Sequence, residues 1–88
     1  MVSKTVTVIN SDGIHMRPAG MISKTATSFV NCNISLNSNG KSINAKTLMQ
    51  IMASCLKKGN EVEIVCDGEN EEAALSEISS LFESGFGE

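Results

Sequence analysis

Tryptophan and tyrosine are absent, and phenylalanine occurs three times, as Phe29, Phe82 and Phe86. The core of this 88-residue chain must therefore be assembled from Val, Ile, Leu, Met and Ala. That length suits one small domain over residues 1–88 and excludes two. No run of about 18 apolar residues is present, so a membrane-crossing helix is excluded. Met1-Val2-Ser3-Lys4 runs straight into a strand-like pattern instead of a signal peptide, and the expectation is a cytoplasmic protein without membrane insertion. Cys32, Cys55 and Cys66 are odd in number and form no C-x-x-C pair, which argues against a disulfide framework or a zinc site. They are expected to be buried, reduced thiols, and with one histidine in the chain no metal and no cofactor is expected.

Charge is scarce in an uneven way. Residues 1–58 hold all seven Lys/Arg and one acid, whereas residues 59–88 hold nine acids and no base, so the halves carry +6 and −9. In one domain this predicts two differently charged faces. The acidic total of −3 and the lack of an aromatic ladder among the lysines disfavour a nucleic-acid partner.

What is present follows two periods. Val2, Lys4, Val6 and Val8 alternate with Ser3, Thr5 and Thr7, which suits a half-buried strand, and Asn10-Ser11-Asp12-Gly13 reads as a turn. Ala19, Ile22, Ala26 and Phe29 line one face of a helix from about Met16 to Ser28. Ile34 and Leu36, then Asn39-Gly40, then Ile43 predict a tight hairpin. Thr47 is placed to cap a short helix through about Cys55 with its hydroxyl, and Lys57-Lys58-Gly59 reads as the cationic, glycine-terminated end of that helix. Val62, Ile64 and Cys66 predict a fourth strand ended by Asp67-Gly68. Asn70 with Glu71 and Glu72 starts a last helix whose buried stripe is Ala74, Leu75, Ile78, Leu81 and Phe82. The order is β-α-β-β-α-β-α, and the economical architecture is α+β, a four-stranded, mostly antiparallel sheet with three helices on one face.

His15-Met16-Arg17-Pro18 gathers the only histidine, the only arginine and the only proline of the chain. With a helix starting near Met16, His15 falls at or next to the N-cap, beside the unpaired N–H groups of Met16 and Arg17; the missing N–H of Pro18 costs nothing in a first turn. The positive end of the helix dipole disfavours imidazolium and stabilises an anion attached there. The dipole is worth about 0.3–1 kcal/mol at an exposed site, and Arg17 could add charge-assisted hydrogen bonds of roughly 1.5–3 kcal/mol. That balance suits a phosphoryl group that is held and then surrendered. Residues alone leave this anion or phosphoryl site level with a plain capping histidine.

Gly13-Ile14-His15-Met16-Arg17-Pro18-Ala19 resembles the G-I-H-x-R-P-A signature of HPr, the histidine-containing phosphocarrier family of the phosphoenolpyruvate-dependent sugar phosphotransferase system. Chain length, element order, Asn39-Gly40-Lys41, Lys46-Thr47-Leu48-Met49 with Met52, and Lys58-Gly59 carry the likeness over the whole chain. The resemblance implies an open-faced β-sandwich. It implies that His15 accepts a phosphoryl group on Nδ1 from Enzyme I, with Arg17 assisting and Met16, Arg17 and Pro18 around the phosphate, and passes it to the A component of a sugar-specific transporter. Such a protein is a stoichiometric carrier rather than an enzyme and works as a monomer. The docking face it implies comprises Met16, Gly20, Met21, Lys24, Thr27, Leu48, Met49, Gln50 and Met52, although helical spacing by itself favours Met49 and Met52 as core. Many relatives carry a regulatory serine at the start of the second helix, where this chain has Thr47. Its phosphorylation by an HPr kinase/phosphorylase, with binding to a catabolite regulator in carbon catabolite repression, is the corresponding expectation. Two other readings compete: a regulatory adaptor of the same fold acting through Thr47 and the methionine face, and a small-anion-binding module.

Overall fold

The computed structural model describes residues 1–88 and runs β1 (Val2–Thr7), α1 (Met16–Thr27), β2 (Cys32–Ser38), β3 (Lys41–Asn44), α2 (Leu48–Ala53), β4 (Glu61–Gly68) and α3 (Glu71–Glu83), ending in a 3₁₀ turn at Gly85–Gly87. The strands lie in the order β1-β4-β2-β3, and every neighbouring pair is antiparallel. Antiparallel sheets can leave one face to water, and this one does. Val62, Ile64 and Cys66 of β4 and Cys32, Ile34 and Leu36 of β2 point into the core beneath the helices, while Thr5, Glu61, Glu63, Asn33 and Ser42 face solvent. The expected α+β open-faced architecture is the one observed.

The hairpin turn follows from its residues. Asn39 (φ 53°) and Gly40 (φ 76°) are both left-handed, as a two-residue primed turn requires, and Ser38 pairs with Lys41 across it. Helix α1 buries Pro18, Ala19, Ile22 and Ala26, with Phe29 half-buried beyond its end, and α3 buries Ala74, Ile78 and Phe82 with Leu75 and Leu81 partly covered. Phe82 and Phe86 meet edge to face, ring centres 5.0 Å apart.

Four expectations need correction. Thr47 is the N-cap of α2 by backbone geometry, but its side chain makes no capping bond. The turn ahead of it is organised instead by Asn44, whose Oδ1 accepts from Lys46 N, and by Gln50, whose Oε1 accepts from Asn44 N. Helix α2 stops at Ala53, well before Lys57-Lys58-Gly59, because Cys55 takes the left-handed conformation (φ 53°) that ends helices and that glycine ordinarily supplies. Cys55 is exposed, whereas Cys32 and Cys66 are buried as expected and burial pushes the Cys66 thiol up to about 11. The acids do not share one face: strand alternation puts Glu61 and Glu63 on the open side of the sheet, and α3 carries Glu72 and Glu77 on the other.

Candidate functional site

The loop that delivers His15 is set by close backbone packing. Gly13 has φ +66°, and a Cβ there would stand 2.6 Å from the Leu56 carbonyl oxygen, so glycine is needed for space as well as for conformation. Next to it, Ile14 N donates to Leu56 O at 2.9 Å and the Ile14 side chain is buried. The chain is therefore clamped immediately before His15.

His15 is the N-cap of α1, in extended conformation, and its ring forms no capping bond. The first-turn N–H groups of Met16 and Arg17 have no side-chain cap, and the first intrahelical bond runs from Ala19 N to His15 O at 3.0 Å. The imidazole is 41% exposed and the Arg17 side chain 52%, so both are reachable from solvent. Helix dipole, unclaimed donors and guanidinium together favour an anion above the ring.

The chain's last residues complete the site, and sequence reasoning missed them. Glu88 Oε2 lies 2.7 Å from His15 Nε2, and Glu88 Oε1 accepts from Asn10 Nδ2 at 3.0 Å. Arg17 Nη1 donates to the Phe86 carbonyl at 2.7 Å, approaches Met21 Sδ at 3.4 Å, and stands 3.9 Å from Glu88 Oε2. Phe86 is buried and adopts φ +58°, which aims its carbonyl and the following residues back towards α1. The Asn10 hydrogen bond is the largest influence on the Glu88 carboxyl; with the His15 bond and the charges of His15 and Arg17 it holds that carboxyl below its usual range despite partial desolvation. An ionised carboxylate only accepts hydrogen bonds, so in the neutral form of the imidazole the ring proton sits on Nε2 and Nδ1 carries the lone pair.

Of the other residues singled out from sequence, Pro18 is buried and fixes the first turn of α1. Met16, Gly20, Lys24 and Thr27 form one stripe along α1, exposed except for half-exposed Gly20, with Met21 half-buried beside it. On α2, Met49 is 76% exposed, Leu48 and Gln50 are exposed, and Met52 packs partly against the core. Thr47 is half-buried, and no hydrogen bond joins it to His15 or Arg17. No group of three or more His, Cys, Asp or Glu is placed to hold a metal ion. No helix is long and apolar enough to cross a membrane.

A solvent-reachable histidine ring at an uncapped helix N-terminus, with an arginine in the same first turn, suits a protein that carries an anion on its surface rather than one that encloses a substrate. Comparison with known proteins gives the same class and its particular family. Residues 2–84 match the family model described as the PTS HPr component phosphorylation site. The phosphocarrier protein HPr of Treponema pallidum is 43% identical over 88 residues, covering all of this chain and 99% of that protein. That of Xylella fastidiosa is 33% identical over 88 residues, covering all of this chain and 98% of that protein. Among solved structures, HPr-C-His from Thermoanaerobacter tengcongensis superposes with a TM-score of 0.94 at 36% identity, covering 100% of this chain and 98% of the other. HPr from Bacillus anthracis gives 0.85 at 31% identity over 92% of this chain and 95% of the other. The chain belongs to the HPr family, the phosphocarrier proteins of the phosphotransferase system.

Proposed function

We propose that this protein accepts a phosphoryl group on His15 Nδ1 from phosphorylated Enzyme I and donates it to the A components of sugar-specific transporters. The observation that carries the reading is the His15 Nε2 to Glu88 pair, 2.7 Å long, which leaves Nδ1 as the free nucleophile. In the forward step the Nδ1 lone pair forms the new N–P bond as the donor's bond to phosphorus breaks and its electron pair returns to the donor nitrogen. The His15 ring keeps its Nε2 proton, so it becomes an imidazolium as the bond forms, and the Glu88 carboxylate lies where that positive charge develops. Arg17 and the first-turn N–H groups face the incoming phosphoryl oxygens; to reach them Arg17 exchanges the Phe86 carbonyl for phosphate, a neutral acceptor for a charged one. Return of the phosphoryl group to a second partner reverses each of these steps. The protein turns nothing over alone and so works as a stoichiometric carrier, a cytoplasmic monomer that docks through the α1 stripe and the exposed Leu48 and Met49.

The test is intact-mass spectrometry after incubation with Enzyme I, magnesium and phosphoenolpyruvate. One acid-labile phosphoryl group, absent from His15→Ala, supports the reading; an unmodified, folded wild-type protein beside an active control carrier overturns it.

A second reading concerns Thr47. Its hydroxyl is not committed to a cap, and it adjoins Leu48 and Met49. Phosphorylation there by an HPr kinase/phosphorylase would add about −1.5 to −2 charges beside the docking face, blocking Enzyme I and creating a surface for a catabolite regulator. An ATP-dependent modification that persists in Thr47→Val removes this reading.

A further inference from the structure

Asn10 is a buried polar residue at the start of the turn that leads to His15. It is 6% exposed, it sits between β1 and the turn before His15, and its Oδ1 is buried without any partner. An orphaned acceptor is a cost that a buried alanine would not incur. The two protons of its Nδ2, in contrast, are both used: one goes to the Gly13 carbonyl and the other to Glu88 Oε1 at 3.0 Å. Flipping the amide would turn Oδ1 against two oxygens, so its orientation is determined by its surroundings. Backbone Gly13 N also donates to Asn10 O at 3.1 Å, which closes the turn around the same residue. Asn10 thus joins the loop that carries His15 to a carboxylate 78 residues away.

We infer that Asn10 is a positioning residue for phosphoryl transfer, orienting the Glu88 carboxylate so that Oε2 alone takes the His15 Nε2 proton and Nδ1 is left free. The inference rests on the carrier reading of His15. A glutamate carboxylate can rotate about its side-chain bonds and present either oxygen. Held at Oε1 by a buried amide, it presents Oε2 to the ring. The groups facing that carboxylate are Asn10, His15 and Arg17, and of these only Asn10 is buried and uncharged at every pH.

The decisive experiment reads the ring directly, by ¹⁵N shifts of the His15 imidazole nitrogens in wild type, Asn10→Ala, Glu88→Gln and the double variant, beside single-turnover phosphoryl transfer from Enzyme I. Wild type is expected as the Nε2–H form, and Asn10→Ala as a mixture with Nδ1–H that accepts phosphoryl about 2- to 10-fold more slowly, the loss of one hydrogen bond. Glu88→Gln gives the sharper outcome: Asn10 binds the new amide's oxygen, the amide NH₂ then faces His15 Nε2, and the ring switches to Nδ1–H. Adding Asn10→Ala to Glu88→Gln frees the amide to flip and restores a mixture. Tautomer ratios that ignore Asn10 in both backgrounds overturn the inference, as does an equal slowing by Asn10→Ala with and without Glu88→Gln. If Asn10→Ala does not fold, Glu88→Gln alone decides, and an Nε2–H ring there is the negative result. A wild-type protein that takes no phosphoryl group defeats the carrier reading instead, because the tautomer ratios are read without Enzyme I.

Discussion

His15 and Glu88 are 73 residues apart in the chain and 2.7 Å apart in space, Nε2 to Oε2. The pair makes Glu88 part of the site and gives this segment a pH dependence with a definite sign. The Glu88 carboxyl titrates below its unfolded value, chiefly through Asn10, so its contribution is present above the ordinary carboxylate range and disappears as pH falls through the lowered folded value. Tail resonances of Gly87 and Glu88 are expected to shift together on the acid side of that range. In Glu88→Gln the transition is absent. An unchanged transition in that variant would show that another group governs the tail.

Phe86 anchors the tail. It is 1% exposed and meets Phe82 edge to face at 5.0 Å. Phe86→Ala is expected to destabilise by about 3 kcal/mol, the lower end for a buried Phe→Ala. For a domain this size that lowers the melting temperature by more than about 10 °C. Arg17 loses its fixed carbonyl at the same time, so its side-chain resonances should broaden or average.

Two glycines with left-handed backbones separate conformational strain from collision. Gly40 has open space where a Cβ would go, and Gly40→Ala should cost about 1–2 kcal/mol from strain alone. Gly13 adds the contact with Leu56 O at 2.6 Å, so Gly13→Ala should cost more in urea denaturation and also break the Ile14 N to Leu56 O bond, seen as faster amide exchange at Ile14. Equal costs for the two substitutions would mean the loop moves aside freely.

Gly20 lies in α1 with nothing within 4 Å of the place a methyl group would occupy. Gly20→Ala is expected to stabilise by about 0.8–1 kcal/mol, the helix-propensity difference. If the α1 stripe is the docking face, the same substitution slows transfer from Enzyme I while raising the denaturation midpoint.

Thr47→Val tests the missing cap. A working threonine cap is worth about 1 kcal/mol, but with no side-chain bond to lose the change should fall within about 0.5 kcal/mol. A larger loss in thermal denaturation would show that the hydroxyl caps α2 in solution.

Local signals made most of the fold legible. The alternation around Val62, Ile64 and Cys66, the three-four spacing of Ala19, Ile22 and Ala26, and Asn39-Gly40 each express a short-range rule, and each element appears where its rule places it. The end of α2 was not legible, because Cys55 occupies a left-handed position that glycine usually marks. His15 and Arg17 were legible as neighbours at a helix start because a helix terminus is a local feature.

What the sequence by itself determined is therefore the set of elements, the inward face of each, and the uncapped helix start at His15, all properties of residues within a few positions of one another. Only the tertiary structure decided how that histidine is held. The strand order β1-β4-β2-β3 and the left-handed turn at Phe86 bring Asn10, His15, Arg17 and Glu88 together. No period or turn rule links positions 10 and 88, since a contact across 78 residues exists only once burial of the whole core has fixed where both ends of the chain must lie.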